Sequence, residues 1–456
     1  MPATSAANLS AVFKAYDVRG TVPDQVDETL ARAVGTAFVA VTGSEGDAVV
    51  VGHDMRPSSP GLARAFAQGA CSAGADVVVI GLASTDQLYF ASGTLAVPGA
   101  MFTASHNPAQ YNGIKMCRAH AVPLGMDTGL AAVRDLVAAG GAVPAEVPGT
   151  VSERDVLEDY AGHLVSLAPV SGRRLTVAVD AGNGMAGHTA PAVLARLDVE
   201  VEPMYFELDG TFPHHEANPI EPENLVDLQA RVRACGADIG LAFDGDADRC
   251  FIVDERGELV SPSVVTALIA SRELARKPGS TVIHNLITSR AVPELVTALG
   301  GTPVRTRVGH SFIKATMAET DAIFGGEHSG HFYFRDFWRA DSGMLAALHV
   351  LAALAETDRP LSELLAEFSR YVETGEINST VSDPAAVLAE IEKAYAGRDG
   401  VSVDHLDGLT LLHQDWWFNV RPSNTEPLLR LNAEAADRAS LDALREDVLA
   451  IIRRDS

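Results

Sequence analysis

Residues 103–108 read Thr-Ala-Ser-His-Asn-Pro, and the segment runs on to Lys115 as Tyr-Asn-Gly-Ile-Lys. It offers a hydroxyl (Ser105), an imidazole (His106), an amide (Asn107) and a cation (Lys115) behind the apolar run Gly99-Ala100-Met101-Phe102. Pro108 fixes its own φ and pushes Asn107 out of helical geometry, so the loop is stiff. A stiff loop with a serine beside positive charge suits a nucleophile, or a serine that carries a phosphoryl group. The plainer alternative is an ordinary turn with Ser105 as a helix N-cap.

Three more loops have residue types that do chemistry. Asp244-Gly-Asp-Ala-Asp-Arg249 follows an apolar strand and sets carboxylates at alternate positions, a hard-oxygen site for Mg²⁺ or Ca²⁺. Burying three like charges without a cation costs several kcal/mol. An EF-hand reading places Asp244, Asp246, Asp248 and Glu255 at ligand positions, but Arg249 stands where that loop needs glycine, and Cys250–Asp254 reads as a strand. Magnesium in a catalytic site is the better match. Gly325-Gly-Glu-His-Ser-Gly-His331 presents Glu327, His328, Ser329 and His331; carboxylate plus hydroxyl is suited to vicinal sugar hydroxyls, and the spacing matches no common zinc pattern. Arg421-Pro-Ser-Asn-Thr-Glu426 combines arginine, hydroxyls, an amide and backbone N–H groups, a phosphate cradle without a P-loop, or else a solvated turn. The glycine-rich 180–187 does not match a dinucleotide fingerprint and reads as a strand–helix turn.

Strand-like and helix-like segments alternate around these loops, which implies βαβ units and largely parallel sheets. The first series contains Ala48–Gly52, a helix over Pro60–Ala73, Asp76–Ile80 and a helix over Met126–Ala139; the second runs from Leu175 to Phe243; the third from Ser280 to the helix Ser342–Ala355. The tail reads as a small α+β domain with a helix over Pro384–Tyr395, strands near 408–412, 416–421 and 428–433, and a helix over Leu441–Arg453. The expected fold class is therefore α/β: three related α/β domains with mixed, mostly parallel sheets, plus a smaller C-terminal α+β domain. The expected bounds are 1–150, 151–255, 256–370 and 371–456, with linkers near 139–150, 255–257 and 370–376. Ligands of open α/β sheets sit at carboxyl ends of strands, so the loops could converge on one cleft.

The 456 residues suffice for two to four domains, and a hydrophobic content of 47% provides ample core. A net charge of −25 argues against nucleic acid or anionic membranes as partners. An anionic substrate then needs a local basic pocket; of the five lysines, Lys14, Lys115 and Lys314 lie in or beside flagged loops. No apolar run is long enough to span a membrane, and the N-terminus lacks the pattern of a signal peptide. Four widely spaced cysteines suggest neither a zinc site nor a disulfide framework, so the expected compartment is the cytoplasm.

From Phe13-Lys-Ala-Tyr-Asp-Val-Arg-Gly20 to Arg421–Pro427, the motifs in this order resemble those of the α-D-phosphohexomutases, and within them the phosphomannomutase/phosphoglucomutase branch. The resemblance implies four domains around a central cleft and an Mg²⁺-dependent enzyme that interconverts hexose 1- and 6-phosphates. Ser105 would be the phosphoserine and would complete the cation site of Asp244, Asp246 and Asp248. Glu327 and Ser329 would grip sugar hydroxyls, with His331 beside them; Arg421, Ser423, Asn424 and Thr425 would bind the phosphate not being transferred. Tyr16, Arg19, Lys115, Arg249, His310 and Lys314 would line the cleft, with Lys115 or His310 handling the sugar proton. A hexose 1,6-bisphosphate would be the intermediate and activator, hexose phosphates the only partners, and the chain a monomer or homodimer. Glu-His-Ser-Gly-His resembles the mannose/glucose branch better than the glucosamine branch, where glutamine commonly replaces His328. A lysine frequent in dual-specificity relatives is missing where Asn285-Leu-Ile287 stands, which implies a narrower substrate range. The rival readings are a phosphoglucosamine mutase, a metal-dependent phosphatase, and a non-catalytic sugar-phosphate- or calcium-binding protein.

Overall fold

A computed structural model of the chain describes residues 5–141, 144–422 and 428–454, with the side chains of these except Ala6 and His310. Four sheets follow one another along the chain. The first holds, in spatial order, Val18–Thr21, Tyr111–Arg118, Gly99–Phe102, Ala48–His53, Asp76–Leu82 and Val151–Glu153, with Val122–Pro123 added on Tyr111–Arg118. The second is Leu259–Val260, Cys250–Asp254, Ile239–Phe243, Leu175–Asp180 and Val199–Met204. The third is Thr302–Thr306, Thr281–Asn285, Phe324–Gly326, Phe332–Phe334 and Ala340–Asp341. The last, in the tail, pairs antiparallel throughout.

The first three sheets are mixed, and they are mixed in the same way. In each, an apolar strand pairs parallel with the strand two before it in the chain, emits a polar loop, and returns as an antiparallel neighbour. Gly99–Phe102 returns as Tyr111–Arg118, Ile239–Phe243 as Cys250–Asp254, and Phe324–Gly326 as Phe332–Phe334. The three chemistry-bearing loops are thus equivalent hairpin connections, each at the carboxyl end of a strand buried along its whole length.

Several elements differ from the sequence expectation. Tyr111–Lys115 is strand rather than an extension of the serine loop, since it pairs antiparallel with Val18–Thr21 on one edge and, from Ile114 on, with Gly99–Phe102 on the other. The helix expected over Met126–Ala139 splits into Met126–Thr128 and Leu130–Ala138, because Gly129 sits at φ 139. Segment 255–257 is the turn of a hairpin, and its partner strand Leu259–Val260 extends the second sheet past residue 255. Val151–Glu153 pairs with Asp76–Leu82 and so joins the first sheet, not the second. Val372–Glu373, expected in a linker, pairs with Leu428–Ala435 of the tail.

One apolar core runs through the first three blocks, from Leu88 and Tyr160 to Phe332 and Leu351; the first block has a second core around Phe38, Phe66 and Phe102, and the tail keeps its own around Ile391, Phe418 and Leu441. The helix Gly343–Ala355 is buried along its whole length at the centre, which explains why it reads as apolar on every face. Among the described residues, no helix is long and apolar enough to cross a membrane.

Candidate active site

Ser105 is buried and holds φ 49, a left-handed conformation that costs a serine roughly 1–2 kcal/mol. From it, Oγ donates to Asp244 Oδ2 at 2.7 Å, so the first and second blocks meet at this hydroxyl. Gly245 makes the approach possible: a Cβ there would come within 2.4 Å of the Ser105 carbonyl oxygen. Asn107 of the same loop accepts from Arg19 Nη1 at 2.5 Å. His106 Nδ1 lies 3.3 Å from Ser105 Oγ, and burial, then Arg249 and Arg19, push its pKa well down, so the imidazole is neutral.

Asp244, Asp246 and Asp248 are all buried, and one oxygen of each lies within 4.8 Å of the others. Burial followed by its two neighbours drives Asp244 far above the usual carboxylate range, and burial with Asp246 raises Asp248 to about 6. For Asp246, burial acts upward, but Lys115 and the neighbouring hydroxyls together outweigh it, holding the group ionised. Lys115 Nζ bridges Asp246 at 2.7 Å and Asp248 at 2.5 Å, and those carboxylates outweigh burial to keep the ammonium charged. Thr85, first residue of the helix Thr85–Leu95, donates to Asp246 at 2.5 Å. Asp246 Oδ1 and Asp248 Oδ1 are buried and make no hydrogen bond among the described residues; His331 Nε2 lies 3.6 Å from the latter. Two such oxygens within a set of three carboxylates fit a hard divalent cation, whereas Glu255, the twelfth position of an EF-hand reading, lies in the hairpin turn and accepts from Ser362.

The third loop reaches the second through Arg249, which forms an isolated bridge with His331 and whose Nε lies 3.2 Å from His331 Nε2 and 3.4 Å from Asp244 Oδ2. Glu327 accepts from Tyr333 at 2.6 Å and from the Gly309 N–H at 3.2 Å, while Ser329 Oγ lies 2.8 Å from His331 Nδ1. Lys314 pairs with Asp341 at 2.5 Å and lies over the Tyr89 ring. Tyr16, Tyr89, Lys115, Ser311 and Lys314 line a narrow cavity between the first and third blocks. Two cavities of about 550 Å³ lie elsewhere, and no residue of the four loops lines either.

The expected residues Ser105, Lys115, Arg19, Asp244, Asp246, Asp248, Arg249, Glu327, Ser329 and His331 therefore sit in one contact network, with Tyr16 and Lys314 on its flank. In the tail, Arg421 pairs with Glu376 at 2.8 Å, and Arg430 joins the same carboxylate at 3.3 Å. Ser423, Asn424, Thr425 and the His310 side chain lie outside the described residues. The basic pocket needs correction: Lys14 is exposed, and the charges of Lys115 and Lys314 are each matched by buried aspartates. Sequence reasoning missed Thr85, Tyr333, Asp341, Glu376 and Arg56. Only Arg56 carried a local signal, in His53-Asp-Met-Arg-Pro-Ser-Ser59 after a strand; the others act through tertiary pairing alone.

Comparison with known proteins matches this arrangement along the chain. Family models described as phosphoglucomutase/phosphomannomutase alpha/beta/alpha domains I, II and III match residues 10–141, 158–257 and 261–371, and the C-terminal domain of the same family matches 376–451. The chain is 40% identical to phosphohexose mutases of Xanthomonas campestris pv. campestris, covering 97% of this chain and 99% of the relative. It is 38% identical to the phosphomannomutase of Escherichia coli strain K12, covering 96% and 98%. The crystal structure of a phosphoglucomutase/phosphomannomutase family protein from Burkholderia thailandensis superposes with a TM-score of 0.88 at 34% identity, over 98% of each chain. With all four domains matched in order and relatives aligned over nearly their full length, the chain belongs to the phosphoglucomutase/phosphomannomutase family and is a mutase.

Proposed function

We propose that the enzyme interconverts the 1- and 6-phosphates of mannose and/or glucose, with Ser105 carrying the phosphoryl group. The observation that carries this reading is the Ser105 hydroxyl, 2.7 Å from a buried carboxylate of the Asp244–Asp248 loop, on a backbone held in a left-handed conformation. A binding protein has no use for a desolvated serine in that place.

In the proposed reaction the free hydroxyl of a hexose monophosphate attacks the phosphorus on Ser105. A phosphorus–oxygen bond to the sugar forms, the bond to Ser105 Oγ breaks, the sugar hydroxyl gives up its proton and the serine oxygen regains one. The resulting 1,6-bisphosphate turns end for end. Ser105 Oγ then attacks the other phosphorus, and the sugar oxygen that leaves takes a proton. Lys115, held as an ammonium, suits the donor of that proton, and His310 is the alternative. Arg249 and Arg19 supply positive charge around the transferring group. Glu327 and Ser329 orient sugar hydroxyls, with His331 between them and Arg249. Arg421 with Ser423, Asn424 and Thr425 holds the distal phosphate, and Tyr16 and Lys314 line the route. Mg²⁺ is the cation of choice for few carboxylates plus a phosphoryl oxygen, and would neutralise charge on the transferring group. A hexose 1,6-bisphosphate is the expected activator and the cytoplasm the expected setting.

The test is a ³¹P NMR time course with Mg²⁺, mannose 1-phosphate or glucose 1-phosphate, and a trace of bisphosphate. Conversion to the 6-phosphate supports the reading and sets the sugar preference. Growth of inorganic phosphate identifies a phosphatase instead, and conversion only of the glucosamine phosphate identifies a phosphoglucosamine mutase. Ser105→Ala should lower turnover by orders of magnitude with the fold intact.

A further inference from the structure

We infer that Arg56 is a positioning residue that sets the aim of Ser105, an assignment that rests on the phosphoserine reading above. Arg56 lies outside all four loops, in the turn after the strand Ala48–His53, and its side chain is fully buried. Its guanidinium binds the serine loop from behind. Nη2 donates to the carbonyls of Ser105 at 2.9 Å and Asn107 at 2.7 Å; Nη1 donates to those of Pro108 at 2.9 Å and Tyr111 at 3.0 Å. Nε donates to Asp54 Oδ2 at 3.2 Å, so every N–H of the fork has an acceptor. Asp54 balances the buried charge and is itself fixed by Ser59 Oγ at 2.6 Å. The Phe212 ring, from the second block, covers the guanidinium with its centroid at 5.1 Å.

This arrangement explains why a serine can hold an unfavourable backbone conformation. A left-handed non-glycine residue persists only where its surroundings over-determine it. The carbonyl of Ser105 is fixed by Arg56 Nη2 on one side and abutted by Gly245 on the other. With the following carbonyls also fixed, φ of Ser105 has little freedom, and Oγ is left on the Asp244 side. Lysine could neutralise Asp54 but has no planar fork to bind four carbonyls at once. The guanidinium contacts backbone carbonyls, Asp54 and Phe212 rather than Ser105 Oγ, so its effect should fall on transfer and not on sugar-phosphate binding.

The test is single-turnover transfer of labelled phosphoryl from glucose 1,6-bisphosphate to the full-length, Mg²⁺-loaded protein. Arg56→Lys should slow labelling of Ser105 by about 100-fold, the scale of a misplacement near 1 Å, while KM for hexose phosphate changes by less than about threefold. Arg56→Ala should regain part of its rate with added ethylguanidinium. Labelling of folded Arg56→Lys at the wild-type rate, or a loss carried wholly by KM, would overturn the inference. If the Arg56 variants do not fold, Phe212→Leu replaces them; the ring is half-buried, and its loss should slow labelling about threefold. An unchanged rate in folded Phe212→Leu would then overturn it. Absence of label on wild-type Ser105 would instead remove the phosphoserine reading, and this inference with it.

Discussion

Replacing Asp244 by asparagine should stabilise the metal-free protein while abolishing activity. Asp244 faces Asp246 and Asp248 with oxygens no more than 4.8 Å apart. At an effective dielectric of about 20, each such pair repels by about 3.5 kcal/mol, so roughly 7 kcal/mol acts against an ionised Asp244. Arg249 Nε at 3.4 Å returns about 5 kcal/mol on the same scale. Lys115 also favours the charge, but burial, the largest cause, acts against it, and the carboxyl ends well above its usual range. Asparagine keeps the shape and carries no charge; its single oxygen can accept from the Arg249 N–H, and its NH2 can donate to Ser105 Oγ in place of the bond that Asp244 accepts. Thermal unfolding in EDTA should therefore move up by a few degrees, whereas the stabilisation wild type gains from millimolar Mg²⁺ should shrink sharply. Mutase activity should fall by orders of magnitude. A metal-free variant less stable than wild type by several kcal/mol would refute the reasoning, because it would mean that Asp244 serves chiefly as the ion-pair partner of Arg249. An undiminished Mg²⁺ shift would move the cation away from this loop.

Glu327→Gln should raise KM for hexose phosphates about tenfold and leave the rate of serine phosphorylation by bisphosphate nearly unchanged, since Glu327 bonds Tyr333 and Gly309 away from the Ser105–Asp244 contact. Arg421→Ala should raise KM more than it lowers kcat, and removing Glu376 as well should not restore binding; steady-state kinetics of the two variants checks this. Glu373 lies opposite Glu434 in the tail sheet and accepts from Ser261 and Ser263 of the third block. Burial first, then Glu434, raises its pKa from 4.5 to about 7. The folded state then binds more protons than the unfolded one, so this group lowers stability as pH rises from about 4.5 to about 7, with the cost constant above that window. Glu373→Gln should flatten that slope in thermal unfolding measured between pH 5 and pH 8; an identical slope would show that the seam does not titrate.

Loops rich in polar side chains were the most legible part of the chain, because their chemistry is local in sequence. Asp244, Asp246 and Asp248 announce a cation site from spacing alone, and Pro108 announces a stiff serine loop. The α/β alternation was legible for the same reason: apolar β-branched runs such as Ala48–His53 and Leu175–Asp180 are buried strands and read so. The antiparallel returns were harder. Tyr-Asn-Gly-Ile-Lys has the composition of a turn, and only pairing with Val18–Thr21 and Gly99–Phe102 makes it a strand. Glycine and proline mark hairpin turns as well as linkers, as at Gly257. Residues that act by long-range pairing left no trace in the sequence around the motifs: Thr85 meets Asp246, and Glu376 meets Arg421, only through tertiary structure.

The central claim is that Ser105 carries the phosphoryl group. Its most direct test is intact-protein mass spectrometry with peptide mapping, after incubation with Mg²⁺ and hexose 1,6-bisphosphate. The account predicts one added phosphoryl group, located on Ser105, absent from Ser105→Ala, and discharged when hexose monophosphate is added. A wild-type protein that converts hexose phosphates with no phosphoryl group on Ser105, or with the group on another residue, would contradict it.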